Sequence, residues 1–416
     1  MLTAKPAASV GYWQVLRQNP NFRNLWIGQL ISSAGDWFNN VAVLGLALSL
    51  TSNGLAAGLV LLASSIPFFI MIPIAGPIVD RFDRRKVMLA ANFGGAVLAL
   101  SFLLVRDSGS VWILFVGSAL LITTATFFNP AAQATVPNIT SSDELVSASA
   151  LSSSTWAIMV MAGSGLGGLV SQIAGRETVF IFNSLSFLLA NYFIFQVKPP
   201  ARAKQERIRT STWADFGEGL KYVQQHLPVM AMVAVKSGWS LAGGVLVLLS
   251  VFGTQVFQAG DAGIGALYAG RGLGALIGPF VVKSYIGDDT ARTRKVIWWA
   301  FLICGFGYLL FATSTGIGLW LAVVALVIAH LGGGVSWMLS SILLQRQVED
   351  QFRGRVFSLD MGMSTLTSSL STLLWSFSLN WGASPVLLAV IGGATFAVYG
   401  MLWVIVSSRG RYNLIT

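Results

Sequence analysis

Gly76-Pro77-Ile78-Val79-Asp80-Arg81-Phe82-Asp83-Arg84-Arg85-Lys86 lies between two long apolar stretches, residues 57–79 and 87–105. Each stretch is long enough to cross about 30 Å of hydrocarbon at 1.5 Å per residue of helix. A connection this short and this basic is what remains on the cytoplasmic face when one helix crosses a bilayer and the next returns. Gly76 permits close helix packing, Asp80 is placed to accept hydrogen bonds near the start of the following helix, and Arg81, Arg84, Arg85 and Lys86 hold the loop inside. The punctuation recurs later: Gly278-Pro279-Phe280-Val281 closes one apolar stretch and Arg294-Lys295-Val296 opens the next, with Val282 at the position of Asp80.

Outward from this loop, apolar windows of spanning length fall at about 22–50, 57–79, 87–105, 111–136, 147–172 and 178–197, and again at 228–256, 262–286, 296–314, 317–345, 356–380 and 383–407. The composition agrees with twelve spans. Of 416 residues 55% are hydrophobic and 10% charged, and the mean hydropathy is +0.71, whereas a soluble protein needs about 25% charged residues to cover its surface. The 44 glycines are spread through the apolar stretches, as expected where helices pack closely in lipid.

The net charge of +10 is a topology signal rather than a nucleic-acid patch. Apart from Lys236 and Arg271, which fall inside spans, only Arg106 and Arg176 lie on one side; the other basic residues fall on the opposite, cytoplasmic side. Both termini are expected in the cytoplasm of a bacterium, with the chain in its inner membrane. The polar N-terminal segment is expected to be retained, because the first apolar stretch runs past signal-peptide length without a cleavage site. Cys304 is the single cysteine, so no disulfide framework, thiol metal site or cofactor is expected. Two distant histidines and one cysteine assemble no catalytic cluster, and no GxxxxGK[ST] loop for ATP occurs, so neither an enzyme nor an ATP-driven pump is expected.

The longest polar stretch, Lys198 to Pro228, follows the sixth span. It divides the chain into an N-terminal bundle, 1–197, a cytoplasmic linker, 198–227, and a C-terminal bundle, 228–416. Within the linker Trp213, Phe216, Leu220 and Val223 recur at helical spacing, with Asp215, Glu218 and Lys221 on other faces; this predicts a short amphipathic helix at the membrane surface.

The Gly76–Lys86 loop resembles the cytoplasmic signature of the major facilitator superfamily, with Asp83 standing where the family has its second glycine. Further stretches are similar to the branch that contains macrolide-efflux proteins and the enterobactin exporter: Phe22 to Trp26, Pro130 to Pro137, Gly219 to Val223, Gly270 to Gly278 and Arg353 to Val356. The resemblance implies an all-α membrane protein of two pseudo-symmetric six-helix bundles. It also implies export of an amphipathic small molecule by alternating access. Two departures leave proton coupling open. The fourth span has no arginine, and Gly163-Ser164-Gly165-Leu166-Gly167-Gly168 carries serine where the antiporter motif GPxxGG has proline.

A charge near the bilayer centre costs at least about 2.5 to 3.5 kcal/mol, so each needs a reason to be there. Asp36, Lys236, Arg271 and His330 all fall near the midplane of their spans. One reading makes Asp36 the proton-coupling group, with Lys236 and Arg271 as its partners or as anchors for an anionic substrate group. The other makes Asp36 a structural hydrogen-bond hub with Ser33, Asn39 and Asn40. Lys236 is alternatively a residue that snorkels to the interface. His330 is either a second proton-relay group or a packed histidine. Trp37 and Trp239, with Phe38, Trp156 and Trp337, are candidates for an aromatic cavity wall. Asp360, near the cytoplasmic end of the eleventh span, is expected to pair with Arg81 or Arg84 in a gate that closes the inside. A lipid or lysophospholipid flippase of the same superfamily is the alternative within transport, and a non-transporting receptor the alternative outside it. The chain is expected to act as a monomer on a small-molecule substrate and protons within the lipid bilayer.

Overall fold

The computed structural model describes residues 10–51, 54–141, 143–198, 212–286 and 290–408; the side chains of Asp80, Trp213, Asp215 and Phe216 lie outside that description. A short helix α1 (Tyr12–Gln18) precedes α2 (Pro20–Thr51), α3 (Gly54–Arg81), α4 (Arg84–Ser101), α5 (Trp112–Ile139), α6 (Leu145–Ala174) and α7 (Arg176–Phe195). After α8 (Thr212–Gln225) come α9 (Leu227–Leu241), α10 (Val245–Val251), α11 (Gly260–Ile286), α12 (Thr290–Thr313), α13 (Leu319–Gln347), α14 (Asp350–Asn380) and α15 (Pro385–Ser408).

Ten segments among the described residues are long and apolar enough to cross a membrane, one of them combining α9 and α10. Helices α2 and α14 are not in that set although they have 32 and 31 residues. Their lengths exceed the roughly 20 residues a crossing needs, and what disqualifies them is polarity. Helix α2 carries Gln29, Ser32, Ser33, Asp36, Asn39 and Asn40, and α14 carries Ser358, Asp360, Ser364, Ser369 and Ser371. Polar side chains at membrane depth are tolerated when they face a cavity or each other instead of lipid. With these two helices the bundle has the twelve crossings expected from the sequence.

The neighbours of each helix repeat between the halves. Helix α3 packs on α5, and α4 on α5 and α7; correspondingly α11 packs on α13, and α12 on α13 and α15. Across the halves α6 packs on α11 and α14 packs on α3, the same two positions with the halves exchanged. The seventh crossing, expected as one run over 228–256, is interrupted at Ala242–Gly244. Gly244 sits where a Cβ would come within 2.3 Å of the Trp375 ring, so α14 leaves no room for a side chain there. The Gly244 amide donates to Ser371 Oγ at 3.0 Å, and the same hydroxyl donates to the Leu241 carbonyl. One serine thus satisfies backbone groups that the break would leave unpaired in lipid. The crossing then ends in a π-helical turn, Phe252–Val256.

In the loop between α3 and α4, Asp83 is the N-cap of α4 and accepts from the Lys86 amide at 3.0 Å. The departure from the family's glycine therefore has a local role, the one the sequence assigned to Asp80. Gly76 is in no close helix contact: among the described residues, a Cβ there would meet nothing within 4 Å. The amphipathic linker segment is helical, as expected, and it docks on α14. Tyr222 stacks on Phe352 at 4.5 Å between centroids, Glu218 pairs with Arg355 at 2.9 Å, and Gly219 lies against the Arg355 carbonyl.

Candidate transport pathway

A cavity of about 1410 Å³ occupies the middle of the bundle and reaches the end that carries the basic loop. Its walls come from α2 to α7, with Gly354, Arg355, Ser358 and Gly362 of α14 closing one side. Polar groups follow one face of α2, where Gln29, Ser32, Ser33, Asp36, Asn39 and Asn40 all border the space. They sit at spacings of three and four, as side chains sharing a helical face must.

Asp36 is partly exposed to this cavity, and among the described residues it makes no hydrogen bond or ion pair. The hydrogen-bond hub with Ser33, Asn39 and Asn40 does not form. Nor does Asp36 meet Lys236. Lys236 is 2% exposed and pairs with Asp360, which is fully buried. The pair lies between α9 and α14, with the lysine Nζ 5.0 Å from the Trp337 ring centroid. Next to it Ser240 and Ser364 exchange a hydrogen bond of 2.6 Å, so a polar seam joins the two helices. Lys236 therefore neither snorkels nor faces the cavity, and Asp360 is not the partner of Arg81 or Arg84. Arg84 donates to the Ala134 carbonyl, Arg85 stacks on Phe195 at 4.5 Å, and Arg81 lies 5.9 Å from the Phe82 ring. The expected inner gate is absent among these contacts because the buried Lys236, which needs a counter-charge, pairs with the carboxylate instead.

Arg271 is 7% exposed and also lies off the cavity wall. Its guanidinium rests 5.5 Å from Trp156 and 5.9 Å from Tyr268, and among the described residues it has no ion-pair partner. His330 is buried and shares a hydrogen bond of 2.8 Å between Nε2 and the Tyr308 hydroxyl. It packs edge-on to Trp239. Of the aromatic candidates Trp37 and Trp156 border the cavity, whereas Phe38, Trp239 and Trp337 do not. The shared positive cavity of Asp36, Lys236 and Arg271 is thus replaced by a polar space in which Asp36 and Arg355 are the bordering charges.

The opposite end is shut. Arg176, opening α7, binds Asp261, opening α11, through Nε to Oδ2 at 2.8 Å and Nη2 to Oδ1 at 2.9 Å. Ser171 of α6 donates to the same carboxylate, and Arg176 Nη1 donates to Ser49 of α2 at 2.7 Å. Below this latch the glycine run of α6 lets three helices touch. A Cβ at Gly168 would lie 2.5 Å from the Asp261 carbonyl and 2.9 Å from Gly265 Cα, and one at Gly167 would lie 2.6 Å from Phe38 Cα. The sequence marks Arg176 only as one of two basic residues on its side of the membrane and does not pair it with Asp261. The available signal was that each is a charge immediately after a glycine, Gly175 and Gly260, at a helix start on the side otherwise nearly free of basic residues.

Twelve crossings in two interlocked sets, shut at one end around a cavity open at the other, have the architecture of a membrane solute carrier. Nucleoside transporter NupG has the same fold, with a TM-score of 0.72 over 93% of this chain and 99% of that one at 14% identity. The sequence is 25% identical over 378 residues to the candidate bacilysin exporter BacE of Bacillus subtilis (strain 168), covering 89% of this chain and 91% of BacE. It is 19% identical over 359 residues to macrolide efflux protein A of Streptococcus pyogenes, covering 85% and 88% of the two chains. Residues 10–407 match the model of the transmembrane secretion effector family, and the chain belongs to that family of the major facilitator superfamily. It is a multi-pass secondary transporter and not an enzyme.

Proposed function

We propose that this protein exports an amphipathic small molecule from a bacterial cell by alternating access, coupled to proton entry at Asp36. The observation that carries the reading is the Asp36 carboxylate, unpaired among the described residues, on the wall of a cavity open at the basic end. A carboxylate with no counter-ion can bind a proton or a substrate cation, and competition between the two is the minimal linkage an antiporter needs. The positive-inside asymmetry puts the basic end, and both termini, in the cytoplasm, so the cavity would load from inside. On this reading the halves that move are residues 1–197 and 228–416, tethered by 198–227, and the transporting unit is a monomer, as supported by cavity walls that all come from one chain.

An amphipathic substrate is supported by a second, apolar groove of about 480 Å³ lined by Ile78, Phe82, Lys86, Val87 and Phe127. It shares the walls Ala91 and Thr124 with the main cavity. Export as the direction is supported by the names of two relatives, the candidate bacilysin exporter BacE and macrolide efflux protein A. With Lys236 and Arg271 off the wall, a purely anionic substrate has less to hold it than a neutral or cationic one.

The test is efflux in everted membrane vesicles under an imposed proton gradient, across macrolides, siderophores and lysophospholipids, for the parent and Asp36→Asn. Gradient-driven transport that the substitution abolishes supports the reading. Transport unchanged by Asp36→Asn removes coupling from this residue, and transport indifferent to the gradient favours a flippase or uniporter.

A further inference from the structure

We infer that Arg271 is the carboxylate-binding half of a zwitterion site whose other half is Asp36, with Trp156 as the movable cover between them. The inference deepens the proposed function by naming the substrate class, and it rests on that reading for the role of Asp36 in the cavity.

Among the described residues, two opposite charges stand without ion partners on either side of α6. Asp36 borders the cavity. Arg271 is buried behind the wall, its Nε without a hydrogen-bond partner. A guanidinium at membrane depth is costly to keep charged with aromatic faces beside it and no ion-pair partner among the described residues. The favourable contacts with Trp156 and Tyr268 offset part of that cost, since a cation over an aromatic face gains about 0.5 to 2 kcal/mol. What is missing is an anion, and a guanidinium presents a fork of donors matched to a carboxylate.

Trp156 connects the two compartments. It borders the cavity, is 50% exposed, and lies with its ring 5.5 Å from the Arg271 guanidinium. A half-exposed indole is free to change rotamer where a packed one is not, and turning it away from Arg271 would join the guanidinium to the cavity. The second wall residue, Trp37, follows Asp36 directly and sits 6.2 Å from Tyr268, which in turn lies 5.9 Å from Arg271. Those two steps hold the gap between the Trp37 ring and the guanidinium to about 12 Å, the reach of three or four extended residues. A solute with an amine at one end and a carboxylate at the other, separated by a short apolar body, would satisfy both charges and lay that body against Trp37 and Trp156.

The experiment is calorimetric titration of the full chain in lipid nanodiscs with the tripeptide Ala-Phe-Ala, its C-terminal methyl ester and its N-acetyl form. The zwitterion is expected to bind at least tenfold more tightly than either blocked form. In Arg271→Gln the advantage over the ester disappears while the advantage over the acetylated form remains; Asp36→Asn does the reverse. Arg271→Lys, which keeps the charge, retains part of the preference and guards against mere misfolding of the glutamine variant. No measurable binding of the zwitterion to the parent, or an undiminished preference over the ester in Arg271→Gln, overturns the proposal. So does mutual rescue of Asp36→Arg by Arg271→Asp, which would mean that the two residues pair with each other. Proton coupling is read separately from the vesicle assay on the parent protein, so its failure there leaves the binding preferences standing.

Discussion

Arg176 holds Asp261 through two parallel hydrogen bonds, 2.8 and 2.9 Å long, at the sealed end of the bundle. The arginine belongs to one half and the aspartate to the other, and the side chain of Asp261 is 4% exposed against 27% for Arg176. Removing the arginine would strand a nearly buried carboxylate. Because Arg176 is itself about a quarter in contact with solvent, the expected penalty is a charge-assisted hydrogen-bond value of about 1 to 3 kcal/mol. Arg176→Gln should therefore shift the balance toward the state open at this end by roughly 5- to 150-fold. Distances between spin labels across α2 and α11 at their sealed ends would lengthen; an unchanged distribution would show that the glycine contacts alone keep the end shut.

Those contacts make a second, opposed pair of predictions. At Gly168 an added methyl group would strike backbone atoms of α11, which cannot swing aside. Gly168→Ala should lower the apparent melting temperature and raise solvent access at the sealed end. Gly76→Ala meets nothing within 4 Å and should be neutral or stabilising by up to about 1 kcal/mol, the helix preference for alanine over glycine. Thermal unfolding in detergent measures both, and equal effects would contradict the packing described for α6 and α11.

The Lys236–Asp360 pair should behave as a buried ion pair and not as a gate. Either Lys236→Met or Asp360→Leu alone leaves an uncompensated charge and is expected to cost about 3 to 5 kcal/mol. Made together, the two changes remove both charges and should restore most of the lost stability. Retention of transport by the double variant would fit a structural seam. Its complete loss with stability restored would assign the pair a part in the transport cycle.

Tyr222 couples the linker helix to α14 through its stack on Phe352. Tyr222→Ala should lose about 0.5 to 1.5 kcal/mol beyond its burial and slow turnover while leaving substrate affinity unchanged. Glu218→Gln, which breaks the more exposed pair with Arg355, should cost under about 1 kcal/mol and its effect should vanish in high salt. A changed affinity in either variant would argue against a purely mechanical role for the linker.

The sequence made the crossings legible because apolar length and basic loops report directly on a bilayer. Partners were less legible. Asp36 and Lys236 occupy comparable depths in corresponding crossings, and depth alone cannot tell whether two charges face each other. That depends on rotation about each helix axis, which is fixed by packing. Lys236 turns toward α14 because Ser240 and Gly244, one and two turns on, match Ser364 and Ser371 across the seam. The break at Ala242–Gly244 was hidden for the same reason: apolar character continues through it, and only Trp375 and Ser371 from a distant stretch explain it. The latch of Arg176 and Asp261 required knowing that α7 and α11 begin at the same end of the bundle.

Gly54 and Gly58 on α3 fit tightly against Leu379 and Ser376 on α14 at the sealed end, while at the other end of the same two helices Gly76 and Gly354 face open space. A helix surface without Cβ atoms at both ends is the shape of a rocker with two seats, of which one is occupied. Motion that lifts Gly58 from Ser376 and lowers Gly76 toward α14 would meet no Cβ at either glycine. The reverse closure would then be a matter of tilt, already accommodated in the contours of two helices.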